Sequence, residues 1–583
     1  MYITNPRVYN RYWAMRKAKK TSAVEINGRI EIQMLTTEQL EDLSENFKTV
    51  YQDGTGFLPH SDLQAALKVL GIDIPGYKMR ELSDRYGFSN SDKVELSRFA
   101  LLFDELEQAK HQETNRKLVN LAVAGTIHEK AINKKNLNTY TKLENLTLAL
   151  MSAQAIGCNI INIDNIDLSK GTPHLVLGLL WQIIRIGLFN QIDLQHCPGL
   201  FRLLREGETL DDLRKLSPEE ILMRWVNYHM ENANVSRRLT NFTTDINDSE
   251  IYTHLLHQIA PNGCGVTLSP LSVKGNVNRA AAMLDEAEKL DCREFVTPND
   301  VASGNYKLNL AFVANLFNKH PNLPDPGADE IVEEVVEETR EERTYRNWMN
   351  SMGVNPYVNW LYSDLQNGVI IFQLYDIIRP GIVQWKRVVR VFHKLRGMMD
   401  QIQNCNYAVE LGKQLRFSLV GIQGKDIYDG NQTLTLALVW QLMRAYTLTI
   451  LAQCTQSGDS LPADKDIVAW VNRKLASCGK TSSIRSFQDS SISDARVVLD
   501  LIDAIKPNVI DYSLVSNSNN MENAKYAITC GRKIGAKIYA LPEDIVEVKP
   551  KMVMTVFACL MARDYMPDMR ESIPEPVYPT SYS

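Results

Sequence analysis

Gly479-Lys480-Thr481 ends like a phosphate-binding loop, in which backbone amides and a lysine cradle phosphate oxygens. That loop needs a glycine five residues before its Gly-Lys pair, and Lys474 stands there. The tripeptide also follows a helical pattern rather than a strand, so it reads as a turn after a helix. His128-Glu129 opens like a zinc-protease helix, but the position of the second histidine is Ile132. His254 and His257 lie three apart on an apolar helix and read as ordinary helix residues. The nine cysteines include no C-x-x-C pair, and their number is odd. Zinc ligation and a disulfide framework are not expected, and a reducing compartment fits best. No nucleophile–base signature stands out, so the chain reads as a non-enzyme without a cofactor.

Oxygen ligands near the start suggest an EF-hand pair that has decayed. Such a loop needs oxygens at positions 1, 3, 5 and 12 and glycine at 6. With Gly56 at position 6, Tyr51 falls at 1, Asp53 at 3, Thr55 at 5 and Asp62 at 12. A second loop with Val94 at position 8 puts Asp92 at 6 and Arg98 at 12. Tyr51 cannot replace a carboxylate, and a cation at position 12 repels calcium. Asp53, Thr55, Asp62 and Asp92 are therefore weak ligand candidates only. The expectation is a folded pair that binds no calcium, hence no metal site.

The elements that would position any site repeat along the chain. Leu175-Val-Leu-Gly-Leu-Leu-Trp-Gln-Ile-Ile-Arg185 is echoed by Leu434-Thr-Leu-Ala-Leu-Val-Trp-Gln-Leu-Met-Arg444, and more weakly from Leu308 and Lys551. Segments apolar on nearly every side are central core helices. Each follows a short acidic turn: Asp164 with Asp167, Thr297 to Asp300, Asp426 with Asp429, Leu541 to Asp544. Upstream lie helices bearing Asn145, Asn404 and Asn523, and opening helices with Trp225-Val-Asn227, Trp348-Met-Asn350 and Trp470-Val-Asn472. Trp225 to Phe317 and Trp348 to Trp440 are equal separations. Units of about one hundred residues, each with a core helix, are domains rather than solenoid repeats. The same separation counted back from Trp181 falls inside the EF-hand-like segment. The first unit is therefore short, with the helical stretch Leu118–Ala124 as a partial substitute for its opening helix.

Composition sets outer limits. The chain has 583 residues, 44% of them hydrophobic and 23% charged, with a formal net charge of -5. A pI near 6.1 argues against a nucleic-acid binder driven by bulk charge. The first residues show no apolar run of the signal-peptide kind. The longest apolar stretch, Leu175 to Leu188, is too short to span a bilayer, so no membrane insertion is expected.

These motifs resemble the calponin-homology domain. Four such units after an EF-hand-like segment resemble the fimbrin, or plastin, family, with agreement over Arg340–Pro356 and Gly430–Arg444. The fold implied is all-α: an EF-hand-like helical headpiece followed by four tandem calponin-homology domains, the first incomplete. The divisions are an extension at 1–34, a degenerate EF-hand pair at 35–110, and domains at 111–192, 215–320, 339–450 and 461–563. An acidic linker, 321–338, expected to be solvated and extended, joins the two pairs, and 564–583 reads as a disordered tail.

The resemblance implies two actin-binding modules, each a pair of domains, in a monomeric cytoplasmic protein of the actin cytoskeleton. It points to the end of the core helix in the first domain of each pair: Gln182, Arg185, Ile186 and Phe189, then Gln441, Arg444, Ala445 and Tyr446. These can meet filamentous actin if one helix face is exposed; otherwise they pack against the second domain. Lys134 with Lys135, and Arg340, Arg343 and Arg346, are further candidates. A short linker gives the second module a high effective concentration near a neighbouring filament, which favours bundling. If the short first unit is incompetent, the chain is a single-site side-binder instead.

Overall fold

The computed structural model describes residues 118–134, 138–327, 338–393, 395–455 and 461–566, with 57–59, 93–95, Leu63, Leu67 and Leu102 of the headpiece. The chain divides into two compact units. The smaller comprises 1–118, 134–149 and 162–180; the larger comprises 119–133, 150–161 and 181–583.

In the smaller unit β1 (Phe57–Pro59) pairs antiparallel with β2 (Lys93–Glu95), placing Leu58 opposite Val94. Both residues sit at position 8 of their loops, so the ladder joins the two loops at matching points. Leu63, Leu67 and Leu102 are buried. Tyr51, Asp53, Thr55, Asp62, Asp92 and Arg98 lie outside the described residues. The helices α1 (Thr139–Ala155) and α3 (Pro173–Phe189) contribute residues to both units, with α2 (Asn165–Ser169) between them. Asn165 Nδ2 donates to Thr147 Oγ1 at 2.9 Å.

The larger unit continues with α4 (Leu210–Arg214), then the second domain: α5 (Pro218–Asn232), α6 (Glu250–Ile259), α7 (Asn276–Glu288), α8 (Pro298–Ala302) and α9 (Tyr306–Lys319). The third domain is α10 (Arg340–Ser351), α11 (Leu361–Leu365), α12 (Val369–Ile378), α13 (Gly397–Gln414), α14 (Gly424–Tyr428) and α15 (Gln432–Thr455). The fourth is α16 (Asp464–Ser477), α17 (Arg496–Ile505), α18 (Asn520–Lys533), α19 (Pro542–Val546) and α20 (Pro550–Tyr565).

The repeated acids have a structural cause. In α2, α8, α14 and α19, Asp167, Asp300, Asp426 and Asp544 accept the backbone N–H of residue 164, 297, 423 or 541, at 2.8–3.2 Å. Each carboxylate satisfies an amide that would otherwise be unpaired at a helix start. Asp429 belongs to a different contact, an ion pair with Lys425.

The repeated asparagines hold loops. Asn227, Asn350 and Asn472 each donate to and accept from one backbone residue: Leu239, Val358 and Ile484, at 2.7–2.9 Å. Asn404 clamps Val389 and donates to Asn367 O, while Asn523 clamps Ser516 and donates to Asp494 O. A primary amide presents a donor and an acceptor side by side, so it pairs with a backbone residue as a neighbouring strand would.

Val313, Leu316 and Phe317 in α9, and Val553, Val556 and Phe557 in α20, are buried as core positions should be. The helices α3 and α15 differ from the expectation: their tryptophan side is half-open, and Leu175–Gly178 are only partly buried. Over Gln432–Gln453, α15 is long and apolar enough to cross a membrane. Its Leu438, Val439, Leu442 and Leu451 are instead buried in the core cluster of the third and fourth domains.

Two further expectations need correction. The start of the linker is not free: Pro321 O accepts Trp225 Nε1 at 2.7 Å, and Leu323 is buried against Gly199. Helical residues 118–122 do not replace an opening helix. They precede a 3-10 turn at Glu129–Ala131, just as α12 precedes Trp385–Arg387 and α17 precedes Tyr512–Leu514, at the same separation. The stretch is thus the last turn of the first domain's second helix. Among the described residues that domain has no Trp-bearing opening helix.

Candidate functional site

In the first module, the end of α3 is tied inward. Gln182 clamps Asn159, accepting from its N–H at 2.7 Å and donating to its carbonyl at 3.0 Å. Arg185 donates to Glu219 on α5 at 2.8 Å, and its guanidinium lies over the rings of Phe189 and Tyr357 at 4.8 and 4.6 Å. Ile186 and Phe189 are buried. Lys307, at the start of α9, stands 5.8 Å from the Trp181 ring centre.

The second module repeats this construction. Arg444 donates to Asp464 at the start of α16 at 2.8 Å, and Lys551 stands 5.8 Å from the Trp440 ring centre. Ala445 and Tyr446 are buried, with Tyr446 6.0 Å from Trp348 of the opening helix. Gln441 is half-buried. In both modules, therefore, the arginine braces the first domain against the opening helix of the second, and the apolar candidates face inward. Their signal in sequence was the repeat itself. Nothing in the spacing pairs them with Glu219, Asp464, Lys307 or Lys551, although Glu219 and Asp464 lie in the first turns of capped helices.

The basic candidates divide in the same way. Arg340 forms a two-pronged pair with Glu547 at 2.8 and 2.7 Å, which raises its pKa. Arg346 is paired with Glu338 at 2.6 and 3.0 Å, and Arg343 lies half-exposed, 3.6 Å from the same carboxylate. A cavity of about 610 Å³ brings candidates from two domains together: Arg185, Ile186, Phe189, Arg343 and Arg346 all line it, with Tyr357. Burial pushes the Tyr357 hydroxyl up from its ordinary pKa. Lys134 is exposed, and Lys135 lies outside the described residues.

The rejected motifs have structural roles. Lys480 follows α16 and pairs with Asp503 at 2.6 Å and with Tyr512 at 2.8 Å; those partners raise its pKa despite burial. His254 and His257 sit on α6, half-buried and exposed respectively. His128 belongs to a strap, residues 126–133, laid along α18. Its N–H donates to Thr529 Oγ1 at 3.1 Å, and its ring nitrogen meets Glu522 at 3.1 Å. Arg532 of α18 donates to Thr126 O at 3.1 Å, and Lys533 to Asn133 Oδ1 at 2.8 Å. Burial lowers the Arg532 pKa to about 10.

The calponin homology (CH) domain matches the chain four times, at 116–188, 216–322, 339–448 and 461–565. Plastin-3 of Homo sapiens is 46% identical over 622 aligned positions, which cover 91% of this chain and 98% of the relative. The chain belongs to the plastin–fimbrin family. Plastin-1 of Homo sapiens is likewise 46% identical, over 91% of this chain and 98% of its own length. The crystal structure of the actin-crosslinking core of Schizosaccharomyces pombe fimbrin superposes with a TM-score of 0.66 at 42% identity. That match covers 79% of this chain and 92% of the fimbrin core. Plastins and fimbrins are structural binding proteins, and the non-enzyme reading stands on that membership. The first CH match is shorter than the other three, and the aligned positions outnumber this chain's 583 residues, so the plastins carry residues that it lacks.

Proposed function

We propose that this chain binds filamentous actin and cross-links filaments into bundles in the cytoplasmic actin cytoskeleton. The observation that carries the reading is the duplicated construction of its two domain pairs. Arg185–Glu219 with Lys307–Trp181 in one pair has its counterpart in Arg444–Asp464 with Lys551–Trp440 in the other. Two like-built pairs on one chain supply two grips for the same polymer. The likeness to a fimbrin core described as actin-crosslinking supports the same reading. Of the candidate contacts, Lys134, Arg343 and Gln441 retain exposure enough to reach a filament. Arg185 and Arg444 act through the brace, and Ile186, Phe189, Ala445 and Tyr446 through packing.

The second reading is a side-binder with one competent module, 339–563. The short first CH match favours it, together with the absence, among the described residues, of an opening helix in that domain. Co-sedimentation separates the two. Low-speed pelleting of actin with the full chain supports bundling; pelleting at high speed alone supports the side-binder; no pelleting at either speed overturns both.

A further inference from the structure

The segment between α12 and the first turn of α13 departs from its counterpart elsewhere in the chain. No acidic residue occurs between Asp376 and Asp400, while Arg379, Lys386, Arg387, Arg390, Lys394 and Arg396 fall in that interval. Four large apolar side chains there face solvent: Leu395 is 99% exposed, Val391 74%, Met399 69% and Met398 53%. Among the described residues Lys386, Arg390 and Arg396 have no carboxylate partner. Only Arg387 is paired, with Glu410 at 2.9 Å.

The fold does not require this composition. The fourth domain joins α17 to α18 by a segment of the same place and role, Lys506–Asn519, in which half of the residues are Ser, Asn or Asp, Lys506 is the one cation, and Val509, Ile510, Leu514 and Val515 are buried or partly buried. Its only strongly exposed large hydrophobic residue is Tyr512. Arg390 lies over the Trp385 ring at 4.6 Å, but neither loop packing nor core formation explains an uncovered cluster of Val, Leu and two Met amid cations without a carboxylate partner. Such a cluster costs free energy in water unless something covers it.

We infer that this loop is a docking surface for an anionic phospholipid membrane. Charge complementarity selects that partner: the cations meet headgroup phosphates while flexible aliphatic and thioether side chains enter the headgroup–acyl boundary. The base of the loop is fixed. Trp385 Nε1 donates to Asp376 at 2.6 Å, Gln384 N to Tyr407 at 2.9 Å, and Val389 is clamped by Asn404. The segment thus presents residues 390–393 and 395–399 from a hydrogen-bonded base. Winding it into a free amphipathic helix for a protein groove would break these bonds and expose the buried Val388. That geometry favours a membrane over a helix-binding partner.

The test uses the full chain and sedimentation with two sets of vesicles: phosphatidylcholine alone, and phosphatidylcholine with phosphatidylserine at roughly 4:1. The chain should pellet with the mixed vesicles and not with the neutral ones, and high salt should release it. The variants R390E/R396E and L395S/M398S/M399S, checked for native melting by circular dichroism, should each lower vesicle partitioning about tenfold or more. Filament pelleting by these variants should match the parent chain. Equal pelleting with both vesicle types, or variants that bind as the parent does, overturns the inference. So does lost filament pelleting with vesicle binding unchanged, which makes the loop an actin contact. Calcium-dependent capture by calmodulin without vesicle binding also overturns it, in favour of a helix-in-groove partner. Vesicle binding by a chain that fails to pellet with actin leaves this inference standing and removes only the filament reading.

Discussion

At the scale of single residues, polar side chains do much of what fixes each domain. Asn350 is almost fully buried, and both ends of its amide are committed to Val358. Asn350→Ala should lower stability by about 2 kcal/mol in urea unfolding, because the Val358 amide and carbonyl are left without partners. The asparagine was visible in the Trp-x-Asn repeat, but its task was not, since nothing in the spacing shows which loop it holds. His229 makes a pH prediction. It is buried beside Pro321 O at 3.2 Å, and burial lowers its pKa to about 4. The unfolded chain takes up a proton near pH 6.5 while the folded domain resists it, so the contribution is full above that value and lost as pH falls toward 4. The loss reaches roughly 3 kcal/mol at most. Melting followed between pH 7 and pH 4.5 should show this decline, and His229→Leu should flatten it.

At the scale of elements, two arginine braces occupy equivalent places in different surroundings. The side chains of Arg185 and Glu219 are mostly shielded, whereas those of Arg444 and Asp464 are 34% and 55% exposed. Arg185→Met should therefore cost about 2 kcal/mol, and Arg444→Met under about 1, measured by double-mutant cycles with Glu219→Gln and Asp464→Asn. Equal couplings would mean that solvent screening does not govern the difference. The sequence made both core helices legible because apolar residues recur on nearly every side. It did not show which face stays open, because that depends on a lysine from the next domain lying over each tryptophan. The acidic turns were equally plain, and their cause, capture of a helix-start amide, is local enough to have been derived from spacing. The role of residues 118–122 is not legible in sequence because one turn of helix carries no period; the 3-10 turn downstream identifies it.

At the scale of the whole molecule, the repeat makes the four-domain order legible in the sequence alone. The destination of the strap was not, since His128 and Glu522 are 394 positions apart and no local pattern joins them. Calcium belongs to this scale as well: calorimetric titration of the full chain should show no micromolar heat, and a tight site would restore the headpiece as a switch. The strap itself has a mechanical meaning. Residues 126–133 tie the beginning of the first domain to the fourth, so the intervening polypeptide forms a loop closed by a non-covalent fastener. In the proposed cross-linking role the chain works under tension, and a force applied across the closed loop meets that fastener before it can separate the two ends of that loop. Optical-tweezer traces gripping the chain at residues 125 and 520 should begin with a small rupture that precedes domain unfolding. Arg532→Met, which removes the guanidinium from Thr126, should weaken or abolish it; an unchanged first rupture would show that the tie bears no load.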